Sequence, residues 1–236
     1  MSKLYFFRHA QASYGAENYD KLSPKGEQQA AELGNYLVNQ GFHFDKIFVG
    51  PLLRQRHTCQ IVADIFKKNN RSFPEPIVLQ ELKEHSAPEA MRKAIPELKK
   101  IPQVKKWFEE IEANPKISKR NGMFAFQYFM RMWTTGELVV EGIETWQEFL
   151  KEVRNGLDVI LEKTGKGEQI AAFTSGGTIS AIVAESLGIK DGERIASLNF
   201  SIMNTSFTTF YSSPNQFNLG SFNELPHLRE EMRTFV

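Results

Sequence analysis

The residues of this chain that could carry out chemistry stand shortly after four short apolar runs. Arg8 and His9 follow the first run, and Arg54 comes just after the second. Glu84 follows the third run, and Ser175 begins a Ser-Gly-Gly turn after the fourth. Short apolar runs indicate buried strands, and ligands of open α/β sheets bind at the carboxyl ends of the strands. If the four runs are parallel strands, all of these residues lie at one edge of the sheet.

This set of side chains is suited to the transfer of a phosphoryl group. The guanidiniums of Arg8 and Arg54 can hold phosphate oxygens through bidentate hydrogen bonds, and a glycine-rich turn that opens a helix adds backbone N–H donors. His9 can act as the in-line nucleophile, which divides hydrolysis into a covalent step and a water step. Glu84 can protonate the leaving oxygen and later deprotonate the attacking water.

The elements that position these residues alternate between strands and helices. The pattern predicts strands at 3–7, 46–49, 77–79 and 169–173, helices at 24–41, 52–68, 144–161 and 178–187, and two late strands at 206–211 and 217–222. Strands that alternate with helices favour a mostly parallel sheet that is covered on both faces. We therefore expect an α/β fold with three layers, α/β/α, around a mostly parallel central sheet.

Residues 86–142 have a different pattern, because prolines divide them into short helical pieces and no strand pattern is present. We predict that they form a helical cap inserted beside the crevice of a single domain that spans 1–236. The stretch 123–133 is dense in methionine and aromatic residues. It is expected to form the core of the cap, with the lining of an apolar substrate pocket as the alternative.

Composition excludes several classes of protein. The formal net charge of +1 predicts neither an extended nucleic-acid surface nor a membrane-binding surface. The single cysteine, Cys59, excludes an internal disulfide and a multi-cysteine zinc cluster. The apolar run at 4–7 is too short for a signal peptide or a transmembrane span, so we expect a soluble, cytoplasmic protein. Exposed aromatic residues on the cap would permit a homodimer.

Several segments, in order, resemble the histidine phosphatase superfamily, the phosphoglycerate-mutase-like proteins. Arg8-His9-Ala10 resembles the Arg-His-Gly signature of that family. The other similar segments are Gly50-Pro51-Leu52-Leu53-Arg54 through Thr58, Leu82-Lys83-Glu84, Thr174-Ser175-Gly176-Gly177, Asn204-Thr205-Ser206 and Asn223 through Leu228. The resemblance covers nearly the whole chain, and it implies the phosphoglycerate-mutase-like fold with the cap as its variable insertion.

The resemblance also implies roles for individual residues. It makes His9 the nucleophile that accepts the phosphoryl group and Arg8 and Arg54 its phosphate ligands. It makes Glu84 the proton donor, with Glu81 as the rival for that role. Three further residues are implied as phosphate or substrate ligands, namely Gln11, Ser175 and Gly176. The implied chemistry uses no metal and no cofactor, and the expected partner is a small phosphorylated substrate.

Three positions depart from the family pattern. Ala10 replaces a glycine, which matters if the backbone there needs a positive φ. Gly50 replaces a serine. Ser175 replaces the second histidine of the family, so that a neutral hydroxyl stands where the family has an imidazole. His57 and His85 are candidates for a replacement imidazole, and each is also consistent with an ordinary structural histidine.

These departures leave alternatives to a metal-independent phosphatase. A phosphoglycerate-mutase-type phosphotransferase would use the same residues. The loss of the second imidazole is also compatible with a phosphate-binding or regulatory protein of weakened catalysis. A serine hydrolase built from Ser175, Asp191 and His227 has the chain order of an α/β-hydrolase, but it lacks the Gly-x-Ser-x-Gly turn and leaves Arg8 and Arg54 without a role.

Overall fold

The structure is a computed structural model that describes residues 1–13 and 20–235, and its centre is one six-stranded sheet. The strands are β1 (Ser2–Arg8), β2 (Lys46–Val49), β3 (Ile77–Val78), β4 (Gln169–Thr174), β5 (Phe207–Ser213) and β6 (Gln216–Glu224), and their order in the sheet is β3-β2-β4-β1-β5-β6. Strands β1 to β4 are mutually parallel, whereas β5 and β6 are antiparallel additions. The prediction of a mostly parallel sheet is therefore confirmed.

Helices cover both faces of this sheet. They are α1 (Pro24–Asn39), α2 (Leu53–Lys68), α3 (Ala87–Leu98), α4 (Pro102–Ala113), α5 (Ser118–Thr135), α6 (Trp146–Glu162), α7 (Gly176–Leu187) and α8 (Gly192–Ser201). Alternate residues of a strand point to opposite faces. Tyr5 and Phe7 of β1 pack with α1 and α2, whereas Leu4 and Phe6 belong to the core that includes α6 and α7. The three-layer architecture follows from this alternation.

Local sequence signals explain where two of the helices begin. Ser23 accepts a hydrogen bond from the Gly26 N–H at the start of α1, and Pro24 occupies the first helical position. Thr145 and Glu148 form a reciprocal capping box at the start of α6. Both helices begin close to the positions that the sequence predicted.

The inserted segment forms α3, α4 and α5, which follow β3 and precede α6. It is helical, as the proline spacing predicted. Phe129 and Trp133 of α5 are buried in the same hydrophobic core as Leu4 and Phe6 of the sheet, so the cap packs directly onto the body. Within the aromatic stretch, Phe124 remains exposed. The stretch therefore contributes mainly to the core and leaves only part of its apolar surface uncovered.

Helix α8 was not predicted by the sequence pattern. Asp191 caps its first turn by accepting a hydrogen bond from the N–H of Arg194. The last turn of α8 carries Asn199 back to the start of α7, which places that amide beside Gly176. Among the described helices, none combines the length and the apolar composition that a membrane span requires.

Replacement of Thr145 by alanine tests the cap of the longest body helix. We expect Thr145→Ala to lower the free energy of unfolding by about 1 kcal/mol, because the Glu148 N–H loses its acceptor. Urea denaturation measures this value. Thr135→Ala is the matched control, since the exposed Thr135 hydroxyl bonds to the Arg131 and Met132 carbonyls and to the Glu137 carboxylate at the end of its own helix. An equal loss in both variants would contradict the assignment of the cap.

Candidate active site

The candidate site lies where β1 and β4 end side by side. Arg8 pairs with Thr174 in the parallel register, and the His9 N–H donates to the Thr174 carbonyl at 2.9 Å. The His9 carbonyl in turn accepts hydrogen bonds from the Thr205 N–H at 3.3 Å and the Asn204 side chain at 3.2 Å. The backbone of His9 is therefore fixed from both sides by the neighbouring strand ends.

The imidazole of His9 is held in one orientation and is only 4% exposed. Its Nδ1 lies 2.8 Å from the carbonyl oxygen of Ala10, which can only accept, so Nδ1 carries the proton. Its Nε2 accepts a hydrogen bond from Nε of Arg54 at 3.1 Å. The lone pair of Nε2 therefore faces the guanidinium that is expected to bind phosphate.

The surroundings of His9 favour its neutral form. Burial of the ring, reinforced by the positive charges of Arg54 and Arg8, holds the pKa of His9 well below its usual range, and the Ala10 carbonyl opposes this shift only in part. A neutral imidazole has a free lone pair at Nε2, which is the state that a nucleophile needs. The ring is thus ready to attack without first losing a proton.

Arg54 is positioned by Asp20, which the motifs did not single out. The carboxylate of Asp20 accepts a hydrogen bond from the Leu53 N–H at 2.8 Å and forms an ion pair with Nη1 of Arg54 at 2.6 Å. A carboxylate at a helix N-terminus is favourable because of the exposed N–H groups there. Asp20 therefore fixes the start of α2 and the guanidinium that projects from it.

Thr58 joins α2 to the loop after β1. Its hydroxyl donates to the Arg54 carbonyl at 2.7 Å and accepts from the Ala10 N–H at 3.0 Å. Thr58 thereby fixes the loop after β1, which carries His9, against helix α2, which carries Arg54. Ala10 does not have a positive φ, so its replacement of glycine introduces no backbone strain.

Glu84 lies at the N-terminus of α7. Its Oε1 accepts a hydrogen bond from the His85 N–H at 3.0 Å, and its Oε2 accepts one from the Gly177 N–H at 3.3 Å. A Cβ on Gly177 would overlap Oε1 of Glu84, so the turn needs glycine there. The rival Glu81 instead packs its Cβ against Gly156 of α6. Glu84 therefore lies beside the turn that carries the predicted ligands, whereas Glu81 faces α6.

His85 links Glu84 to the cap. The Ala87 N–H points at its Nδ1 at 3.3 Å, and its Nε2 faces the Glu84 carboxylate at 3.5 Å and the Asn199 side-chain amide at 3.0 Å. The other surroundings of the ring are aromatic, with side chains contributed by Trp133, Trp146 and Phe149. His85 therefore contacts the candidate proton donor and packs against aromatic side chains of both the cap and α6.

The segment before Glu84 is also tied to α6. Nζ of Lys83 lies 3.2 Å from Glu144 and 2.8 Å from Glu152. Burial raises the pKa of the Glu144 carboxyl, although the ammonium of Lys83 opposes this shift. These ion pairs restrain the peptide that carries Glu84.

The remaining predicted ligands are placed as follows. Ser175 is fully buried and its Oγ accepts a hydrogen bond from Nε2 of Gln55 at 2.8 Å. The Cβ position of Gly176 is 3.5 Å from Nε of Arg8, so this residue does lie beside a predicted phosphate ligand. Gln11 is engaged elsewhere, since its side-chain oxygen accepts from the Ser23 hydroxyl at 2.9 Å. A phosphate contact by Gln11 stays a prediction.

The residues of the serine-hydrolase alternative bond to different partners. The hydroxyl of Ser175 bonds to Gln55, and Nε2 of His227 lies 3.0 Å from the Thr205 hydroxyl. Asp191 caps α8. Burial lowers the pKa of His227 to about 4. The structure therefore gives this histidine a structural neighbour rather than a serine nucleophile.

Sequence reasoning missed Gln55, Asp20 and Asn199. The only signal for Gln55 was its place directly after Arg54, in the first turn of α2. Asp20 lies in a polar loop and Asn199 in a helix without a predicted role, so no local pattern marked either. All three act through tertiary contacts.

The sequence of this chain is similar to the sequences of several known proteins. A sequence model of the histidine phosphatase superfamily (branch 1) matches residues 4–225. A broad-specificity phosphatase of Saccharomyces cerevisiae is 34% identical over 74 residues, which are 29% of this chain and 32% of that protein. A 2,3-bisphosphoglycerate-dependent phosphoglycerate mutase of Hamiltonella defensa is 30% identical over 76 residues, 30% of each protein. The matches span about a third of the length of these curated relatives.

Solved structures show the same fold. A mutant of phosphoserine phosphatase from Entamoeba histolytica in complex with phosphoserine has a TM-score of 0.63 at 21% identity, and the match covers 97% of this chain and 100% of that one. Phosphoglycerate mutase from Bacillus anthracis has a TM-score of 0.66 at 16% identity, over 96% of this chain and 94% of that one.

The protonation state of His9 can be tested directly. We expect nitrogen NMR of the imidazole to show a protonated Nδ1 and an unprotonated Nε2 at pH 6, below the ordinary histidine pKa of about 6.5. In that range the unfolded chain binds a proton at this position that the folded chain does not, so His9 lowers stability as the pH falls. A doubly protonated ring at pH 6 would contradict the assigned hydrogen bonds.

Proposed function

The chain belongs to the histidine phosphatase superfamily, and we propose that it hydrolyses a small phosphomonoester through a phosphohistidine intermediate on His9. One observation carries this proposal. The buried, neutral imidazole of His9 presents the lone pair of Nε2 to the guanidinium of Arg54. A nucleophile and an anion-binding group therefore meet at one point.

In the first step, Nε2 of His9 attacks the phosphorus atom and the bond from phosphorus to the leaving oxygen breaks. The phosphate enters between His9 and Arg54, so that the guanidinium hydrogen bond passes from Nε2 to a phosphoryl oxygen. Arg54 and Arg8 stabilise the negative charge of the transition state. The protonated carboxyl of Glu84 gives its proton to the leaving alkoxide, and the alcohol departs.

In the second step, a water molecule attacks the phosphohistidine. The carboxylate of Glu84 takes a proton from this water, the new oxygen–phosphorus bond forms, and the bond from Nε2 to phosphorus breaks. Inorganic phosphate leaves and His9 is again neutral. Glu84 is then protonated and ready for the next substrate, so the cycle needs no external acid.

The comparisons support both a phosphatase and a mutase of the phosphoglycerate type, because relatives of both kinds match the chain. We favour hydrolysis because a hydroxyl on Ser175 stands where the family has its second imidazole. A small phosphorylated substrate fits a site whose described cations are two arginines rather than an extended basic surface. The mutase remains the second candidate, distinguished by whether the phosphoryl group passes to water or to a second phosphoglycerate.

Replacement of His9 tests the covalent step. We expect His9→Ala to abolish turnover of a panel of phosphate esters, because the variant lacks the nitrogen that forms the intermediate. Brief exposure of the unchanged protein to substrate should leave acid-labile, base-stable phosphate on the chain, as radiolabelled phosphate would show. His43→Ala is the control, since that exposed histidine contacts Gln169 at the start of β4. Turnover that survives in His9→Ala would refute the mechanism.

Replacement of Glu84 tests the proton transfers separately. With para-nitrophenyl phosphate, whose leaving group needs no proton, we expect Glu84→Gln to retain a burst of nitrophenol and then to stall as phosphohistidine. The steady-state rate should fall about 100-fold or more, the usual size of a general acid–base contribution. Glu81→Gln is the matched control on the same segment and should keep the normal rate. The opposite pattern would assign the role to Glu81.

A further inference from the structure

The hydroxyl of Ser175 does not cap the helix that follows it. Ser175 is the N-cap residue of α7, and serine is among the preferred caps because its oxygen accepts from helix N–H groups. Here no helix amide bonds to the side chain. The Oγ atom instead accepts from Nε2 of Gln55, and both residues are fully buried. A tertiary contact has taken the place of the local one.

The amide of Gln55 is fixed in one orientation. The Leu52 N–H donates to its Oε1 at 3.0 Å, so this atom must be the oxygen. Its Nε2 donates one proton to the Leu82 carbonyl at 2.9 Å and the other to Ser175. Both amide protons are thereby used. Ser175 accepts in this contact and keeps its own hydroxyl proton for a different acceptor.

Gly50 makes room for this arrangement. A Cβ at position 50 would overlap Oε1 of Gln55 and would lie 2.5 Å from the Leu82 carbonyl oxygen. The serine that the family pattern has there would therefore displace the glutamine amide. The two departures from that pattern, at positions 50 and 175, thus share one partner in Gln55.

The two neighbours of Ser175 in the chain both lie at the candidate site. Thr174, on one side, accepts the backbone N–H of His9 through its carbonyl. Gly176, on the other side, has its Cβ position 3.5 Å from Nε of Arg8. Ser175 therefore stands in the chain between a residue bonded to the His9 backbone and a residue beside the Arg8 guanidinium.

We propose that Gln55 is a positioning residue that directs the hydroxyl proton of Ser175 onto the phosphoryl group transferred to His9. The inference rests on the proposed function and assigns the glutamine–serine pair the place of the second imidazole. The glutamine takes one lone pair of the hydroxyl and leaves the proton free to donate. The pair brings no charge, so its contribution is a directed hydrogen bond to the transition state.

A double-mutant cycle tests this role with para-nitrophenyl phosphate. We expect Ser175→Ala to lower kcat about 100-fold with little change in KM, as for the loss of one oxyanion donor. Gln55→Met keeps the length of the side chain but cannot orient the hydroxyl, and it should lower kcat about tenfold. In the Ser175→Ala background, Gln55→Met should cause no further loss. Equal factors in both backgrounds would overturn the proposal.

Two further variants separate orientation from packing. Ser175→Thr keeps a hydroxyl and should restore kcat to within about tenfold of the unchanged protein. In Gln55→Glu a side chain of the same shape has a carboxyl that accepts the Ser175 proton, so kcat should fall at least as far as in Ser175→Ala. Normal kcat in Gln55→Glu would contradict the proposal. Ser186→Ala is the control, because that hydroxyl bonds to Val183 at the far end of α7.

The affinity for orthovanadate, measured on the same variants, tests binding at the site without turnover. Affinity should fall in Ser175→Ala and Gln55→Met in parallel with kcat, and unfolding curves show that each variant is folded. If the unchanged protein forms phosphohistidine but both variants have normal kcat and normal vanadate affinity, the role of Gln55 is refuted and the proposed function stands. Absence of phosphohistidine in the unchanged protein refutes the proposed function, and unchanged vanadate affinity in the variants then refutes this inference as well.

Discussion

The hydrogen bond from Nε of Arg54 to Nε2 of His9 is the interaction on which the candidate site depends. It requires a neutral imidazole whose lone pair faces a cation, and burial in the sheet edge supplies the neutral state. Several contacts serve this one geometry. The Ala10 carbonyl holds the proton on Nδ1, and Asp20 holds the guanidinium of Arg54. Thr58 of α2 accepts a hydrogen bond from the Ala10 N–H and so joins the loop after β1 to the helix that carries Arg54.

The departures from the family pattern at positions 50 and 175 are connected in the structure. A serine in place of a histidine looks like the loss of a catalytic group when it is considered alone. In the structure, the smaller side chain at position 175 bonds to Gln55, and the glycine at position 50 leaves the space that Gln55 needs. A polar side chain buried in this way must satisfy its hydrogen bonds, and Gln55 satisfies all of its own within the site. The three positions therefore form one connected unit.

The cap and the body share one hydrophobic core. Trp133 of the cap and Trp146 of the body surround the ring of His85, whose Nε2 faces the carboxylate of Glu84. The cap therefore contacts, through His85, the segment that carries the candidate proton donor.

The sequence by itself determined the strands and most of the helices, and it singled out Arg8, His9, Arg54 and Glu84 as candidate site residues. Hydrophobic periodicity depends on neighbours along the chain, and a motif keeps its order whatever the detailed packing. Only the tertiary structure showed that Glu84 lies against Gly177 and that Glu81 lies against Gly156, because both stand in the same short segment of the sequence. It alone showed Asp20, Gln55 and Asn199, whose partners are distant in sequence. Their roles come from hydrogen bonds that form when separate elements meet, and no local pattern encodes such contacts.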